Sequence, residues 1–254
     1  MRIKIFSTPH AAARSLAHEV ARALEDNPRL VLGLPTGRTP VPLYRELAAL
    51  SQARRADFSR AATFNLDEFA GLTGDDPGSY RAFMQRHLFD HINLPARRIH
   101  FLNGAARDEG AECARYERAI ARAGGIDLVI LGLGANGHIG FNEPADALVA
   151  ATHRTTLSAA TRRANVVLFR AEQARPLHGA HRVRAVPRHA LSMGMATILH
   201  ARRIVLLATG GAKARCVDRT VNGPLTSRLP ASFLQLHRDV EIWLDRAAAV
   251  FIQP

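Results

Sequence analysis

Residues 126–144 read Ile-Asp-Leu-Val-Ile-Leu-Gly-Leu-Gly-Ala-Asn-Gly-His-Ile-Gly-Phe-Asn-Glu-Pro. The apolar run 126–132 predicts a buried strand, and the glycine-rich turn that leaves it delivers Asn136, His138 and Glu143 together. Short apolar runs of the same kind occupy 3–6, 30–34, 62–66, 204–208 and 240–244. Between most of them, the stretches 10–24, 40–50, 79–90, 109–123 and 212–222 carry apolar residues at helical spacing and end near Gly, Pro or Asn. Strands that are apolar on both faces and separated by helices predict a mostly parallel, Rossmann-like sheet covered on each side, a three-layer α/β/α sandwich. Such sheets bind ligands at the carboxyl ends of their strands, so the residues just after each apolar run have first claim to function.

A chain of 254 residues is long enough to bury one large core. No composition break marks a linker, so 1–254 reads as a single domain. The segment 170–184, rich in Arg, His and Ala and poor in apolar periodicity, reads as a mobile surface insertion, and a lid or insertion is expected within about 151–187. Cys113 and Cys216 lie far apart without metal-ligand spacing, so neither a disulfide framework nor a metal site is expected and a reducing cytoplasm fits. The opening Met-Arg-Ile-Lys-Ile-Phe turns polar too soon for a secretory signal, and no apolar run approaches the roughly 18–20 residues that cross a bilayer. A net charge of +12 attracts phosphate of any kind. Lysine occurs only at Lys4 and Lys213, however, and the remaining positive charge is arginine amid abundant alanine. That pattern resembles coding bias more than a nucleic-acid face, and no zinc-finger, RRM or homeodomain pattern accompanies it. Neither nucleic acid nor membrane is expected as a partner; small anions are.

Gly132, Gly134 and Gly137 satisfy G-x-G-x-x-G after a strand, yet they run into His-Ile-Gly-Phe-Asn-Glu-Pro, whose glycine and proline resist the long helix a dinucleotide site needs. No cofactor is expected. A lone His138 would read as a structural loop histidine. With Glu143 to orient the ring and Asn136 to fix a hydroxyl or a ring nitrogen, it reads as an acid/base group, since an unperturbed imidazole titrates near about 6.5. Asp67 and Glu68 follow the run 62–66 and read either as a helix cap or surface pair, or as a carboxylate base that removes a proton alpha to a carbonyl. Leu34-Pro35-Thr36-Gly37-Arg38-Thr39-Pro40 joins a strand to a helix, with Thr39 as N-cap and Pro40 as first helical residue. Its free N–H groups and the hydroxyls of Thr36 and Thr39 suit a phosphate monoester, or merely start a helix. Lys213, after Thr209-Gly210-Gly211, reads as a second phosphate contact or as a solvated lysine.

Taken together, the chain resembles the glucosamine-6-phosphate deaminase family along nearly its whole length. The resemblance rests on Gly33-Leu34-Pro35-Thr36-Gly37, Thr63-Phe64-Asn65-Leu66-Asp67-Glu68-Phe69, Ser79-Tyr80 with the following Phe-Met pair, 136–144 and Phe233-Leu234-Gln235-Leu236-His237. It implies conversion of glucosamine 6-phosphate and water to fructose 6-phosphate and ammonia without a metal. His138, assisted by Asn136 and Glu143, then opens the sugar ring and Asp67 takes the C2 proton, while Thr36, Gly37, Thr39 and Lys213 hold the phosphate. Two positions depart from the family. Val167 stands where a phosphate-binding arginine is usual, and Arg163, Arg170 or an arginine of the following insertion is a candidate to replace it; Arg38 stands where a small residue is usual, so it either supplies the missing charge or crowds the loop. The chain also ends soon after Trp243, without the longer tail of allosteric, hexameric members, so activation by an acetylated amino sugar phosphate is not expected; whether it forms a homo-oligomer stays open. The 6-phosphogluconolactonases of the wider superfamily share the histidine loop only through Gly-His, which keeps a lactonase as an alternative, and a non-catalytic sugar-phosphate sensor is another.

Overall fold

The structure, a computed structural model, describes residues 1–173 and 185–252. Seven strands form one sheet: β1 (Arg2–Phe6), β2 (Val31–Leu34), β3 (Ala62–Asn65), β5 (Ile99–His100), β6 (Leu128–Gly132), β9 (Arg203–Ala208) and β10 (Val240–Asp245). Their order is β1-β10-β9-β6-β2-β3-β5, and every pairing is parallel. Three further strands, β4 (Asp67–Phe69), β7 (His153–Thr156) and β8 (His189–Ser192), make a small antiparallel sheet in the order β4-β8-β7.

Alternation along the central strands generates the two covering layers, because successive side chains of a strand leave on opposite faces. On β6, Leu128 and Ile130 join a core with Leu16, Tyr44 and Phe83, which come from α1 (Pro9–Asp26), α2 (Val41–Gln52) and α3 (Tyr80–His87). Val129 and Leu131 join a second core with Tyr116, Ile198 and Val217, from α4 (Glu109–Arg122), α6 (Met195–Leu199) and α7 (Ala214–Asn222). Helix starts follow the sequence chemistry: Thr8 accepts from Ala11 N at 3.0 Å, Ser79 from Ala82 N at 3.0 Å and Asp108 from Ala111 N at 2.8 Å, each satisfying an N–H the helix leaves open. The expected three-layer α/β/α sandwich is therefore present, and its strand order reverses between β2 and β6. That reversal opens a crevice beyond their carboxyl ends.

Several expectations need correction. Thr39 is not the N-cap of α2; Pro40 occupies that position without a side-chain cap, and Val41 is the first helical residue. Residues 170–173, read as aperiodic from the sequence, are helical and form the last turn of α5 (Ala159–Gln173). Phe169 and Glu172 anchor that turn: Phe169 meets Phe69 edge-on with ring centroids 5.5 Å apart, and Glu172 accepts from Arg86 Nε at 2.8 Å and faces His87 Nε2 at 3.2 Å. The remainder of the expected insertion, 174–184, lies outside the described residues. Among the described residues, no helix is long and apolar enough to cross a membrane.

Candidate active site

At the reversal point lies a cavity of about 280 Å³, lined by Thr36, Gly37, Arg38 and Thr39 from the β2–α2 turn, Asp67 from β4, His138 from the β6 loop and Lys213 from the turn before α7. Tyr80 and Asn165 are also among its lining residues. Seven of the nine site residues expected from the sequence thus face one space. Asn136 and Glu143 do not line it; they stand behind the histidine.

The His138 loop is a chain of local contacts. Gly134 N donates to His138 O at 2.9 Å and Gly137 N to Gly134 O at 3.0 Å, with Gly137 in the left-handed region at φ +90°. The imidazole lies directly on Gly134, so any side chain there would overlap the ring. Asn136 Oδ1 accepts from His138 N at 3.2 Å, and Asn136 Nδ2 donates to Glu143 Oε2 at 2.8 Å. That same oxygen is 4.0 Å from His138 Nδ1, which is buried and makes no hydrogen bond. Asn136 therefore steers the carboxylate rather than touching the cavity. Burial lowers the His138 pKa, opposed by Glu143 and reinforced by Lys213, so the ring is neutral at neutral pH and able to accept a proton.

Asp67 and Glu68 divide the two readings made of them. Glu68 is the helix cap: its carboxylate accepts from Phe69 N at 2.8 Å and from Tyr80 N and Arg81 N at 2.9 Å each, at the start of α3. Burial still pushes its pKa up to about 7 against those three bonds. Asp67, on the opposite face of the strand, reaches the cavity with no hydrogen-bond donor to its carboxylate among the described residues. Burial first, and the Glu68 charge second, hold its pKa well above the ordinary carboxylate value, which is the condition for a base of useful strength.

Sequence reasoning missed the residue that ties these two groups together. Ser192 of β8 pairs in register with Asp67, and its Oγ accepts from Phe141 N at 3.0 Å and donates to Met193 O at 3.1 Å. A Cβ on Gly140 would lie 3.1 Å from Ser192 Oγ and 3.8 Å from Asp67 Oδ2, so the histidine loop is seated against the Asp67 strand. A buried serine in an apolar strand carries no sequence signal for such a role. Ser192→Ala leaves the buried Phe141 N–H unpaired and is expected to cost about 1–3 kcal/mol in urea unfolding and to lower kcat with KM held, while Ser192→Thr keeps both.

Lys213 has its pKa lowered by burial first, with the Arg38 charge adding to that effect and Cys216 opposing it. Two cations thus share one end of the cavity. Val167, by contrast, is 63 % exposed and absent from the lining. Residues 7–243 match the model of the family described as glucosamine-6-phosphate isomerases/6-phosphogluconolactonase.

The chain belongs to this family. Within it, the glucosamine-6-phosphate deaminase of Halothermothrix orenii is 44% identical over 98% of this chain and 99% of its own length. That of Thermoanaerobacter sp. strain X514 is 42% identical over 99% and 95%. The structure of a monomeric glucosamine-6-phosphate deaminase shares 40% identity and superimposes with a TM-score of 0.90, covering 98% of this chain and 99% of that one. A 6-phosphogluconolactonase from Trypanosoma cruzi, at 21% identity and TM-score 0.73 over 100% and 97%, shares the fold.

Proposed function

We propose that this chain converts glucosamine 6-phosphate and water to fructose 6-phosphate and ammonia. The observation that carries the reading is the convergence of Asp67 and His138 on one cavity with two cations at its end. Its similarity to deaminases over nearly its full length supports the substrate. The C2 hydrogen of the sugar is acidic only beside a carbonyl, so the ring opens first: neutral His138 takes the C1 hydroxyl proton and supplies one to the ring oxygen, giving the aldehyde. Asp67 then removes the C2 proton, and the electron pair moves to form the C1–C2 enolamine. Protonation at C1 leaves an iminium at C2, to which water adds and from which ammonia departs. Each transfer by a placed group contributes about 10²–10⁴ in rate. Glu143, held by Asn136 with its Oε2 4.0 Å from Nδ1, stabilises the imidazolium formed in the first step by its charge.

Arg38 and Lys213 are the phosphate cations, with Thr36, Gly37 and Thr39 around them, and Arg38 takes the part that exposed Val167 cannot. Charge-assisted hydrogen bonds contribute about 1.5–3 kcal/mol each, so Lys213→Met and Arg38→Met are each expected to raise KM roughly 10–100-fold. Val167→Ala leaves KM unchanged. Both cysteines are buried free thiols, in accord with a reducing cytoplasm. The test is an ammonia-release assay on glucosamine 6-phosphate beside hydrolysis of 6-phosphogluconolactone. Lactone hydrolysis without ammonia would replace the deaminase with a lactonase, and sugar-phosphate binding without turnover of either would replace it with a sensor.

A further inference from the structure

A second cavity, of about 530 Å³, opens at the carboxyl end of the edge strand β5. Its lining includes Glu68, Arg81, His100, Asn103, Glu112 and Arg115. The two cavities share a wall, because β4 sends Asp67 to one and Glu68 to the other, and the first turn of α3 sends Tyr80 to one and Arg81 to the other.

Hydrogen bonding in this second cavity is one-sided. The carboxylates are largely engaged: Glu68 takes three backbone N–H groups, and Glu112 takes Asn103 N at 2.7 Å and Arg115 Nε and Nη2 at 2.6 Å each. The donors are not. Arg115 commits Nε and Nη2, the latter also to Phe101 O at 3.0 Å, and leaves Nη1 uncommitted. Among the described residues, no carboxylate oxygen lies within 4.0 Å of the Arg81 guanidinium. Arg81 is exposed, its stem packed on Gly74, where a Cβ would come within 2.6 Å of its Cδ, and its charge also acts on Glu68. His100, stacked on Phe64 at 4.4 Å, adds a neutral ring, its pKa lowered by burial and by Arg115.

We infer that this cavity is a second anion site, which binds a small oxyanion between Arg81 and Arg115 and communicates with Asp67 through the shared β4–α3 wall. A guanidinium with unspent donors recognises phosphate and carboxylate oxygens by the fork of its planar head as well as by charge. The ligand class is a small phosphate ester or carboxylate, and it is distinct from the substrate phosphate that Arg38 and Lys213 receive.

Calorimetric titration with inorganic phosphate, and separately with acetate, tests the site without any turnover, so its outcome stands apart from that of the proposed reaction. The expected result is two phosphates per chain, one lost in Arg81→Met and the other in Lys213→Met, with Arg81→Lys retaining both. Acetate matching phosphate at the Arg81 site assigns it to carboxylates, and acetate failing there assigns it to phosphate esters. Arg81→Met titrating like the parent protein overturns the site. For the communication, kcat at saturating substrate is expected to change with phosphate in the parent protein and not in Arg81→Met; an unchanged kcat in the parent, with the site occupied, overturns that part.

Discussion

Asp67→Asn is expected to lower kcat for ammonia release by about 10²–10⁴-fold and, in the same protein, to raise the melting temperature. The two effects have one cause. Asp67 is only 6% exposed, receives no hydrogen bond among the described residues and stands beside a second buried carboxyl. Its folded pKa lies above the unfolded value, so folding favours the protonated form. The stability it contributes is complete below the unfolded pKa and is lost as pH rises through the folded one, so above the unfolded value the acid destabilises the fold relative to a neutral side chain of the same shape. Asparagine keeps the shape and removes the charge. A gain on the order of 1–2 kcal/mol is expected at neutral pH, or about 2–4 °C for each kcal/mol in a chain of this size, shrinking towards zero near pH 3. Melting curves across pH on both proteins check the sign. Unchanged turnover would remove Asp67 as the C2 base, and an equal or lower melting temperature at neutral pH would remove the account of its basicity.

Gly134→Ala is the second large effect, and it acts without replacing a titratable group. The new methyl would occupy the place of the His138 ring, which must swing away. A displacement of about 1 Å in a catalytic group costs on the order of 10² in rate, and this overlap demands more. The obstacle is one side chain rather than backbone, so the fold is expected to survive, with unfolding free energy within about 1 kcal/mol of the parent. Non-additivity is the signature: Gly134→Ala should cost kcat heavily alone and almost nothing further when His138 is already Ala. Independent losses that multiply would mean that Gly134 serves something other than the imidazole.

The central strands were legible because their apolar runs are buried on both faces; 240–244, for example, lies wholly within β10. The small sheet was not. β7 is His-Arg-Thr-Thr with alternating half-buried and exposed positions, and β4 begins with two carboxylates, so neither offers an apolar run. Helix α5 escaped notice for a related reason: its anchors, Phe169 and the ion-paired Glu172, are tertiary contacts with β4 and α3 that no local pattern announces. At the site, residue types and strand ends were enough to bring Asp67, His138, Arg38 and Lys213 to one cavity. What they could not reveal was order in depth, with Asn136 and Glu143 behind the imidazole and Ser192 beneath the loop, because depth depends on side-chain direction across two sheets.

One feature of the strand order bears on how the molecule comes into being. Among the described residues, β1 pairs only with β10, Arg2 opposite Glu241 and Phe6 opposite Asp245, and β10 in turn separates it from β9. During vectorial synthesis β1 therefore emerges about 240 residues before the strand it pairs with, by its register. Until that partner is made, its hydrogen-bonding edge stays unmatched, so this border of the sheet closes late in folding.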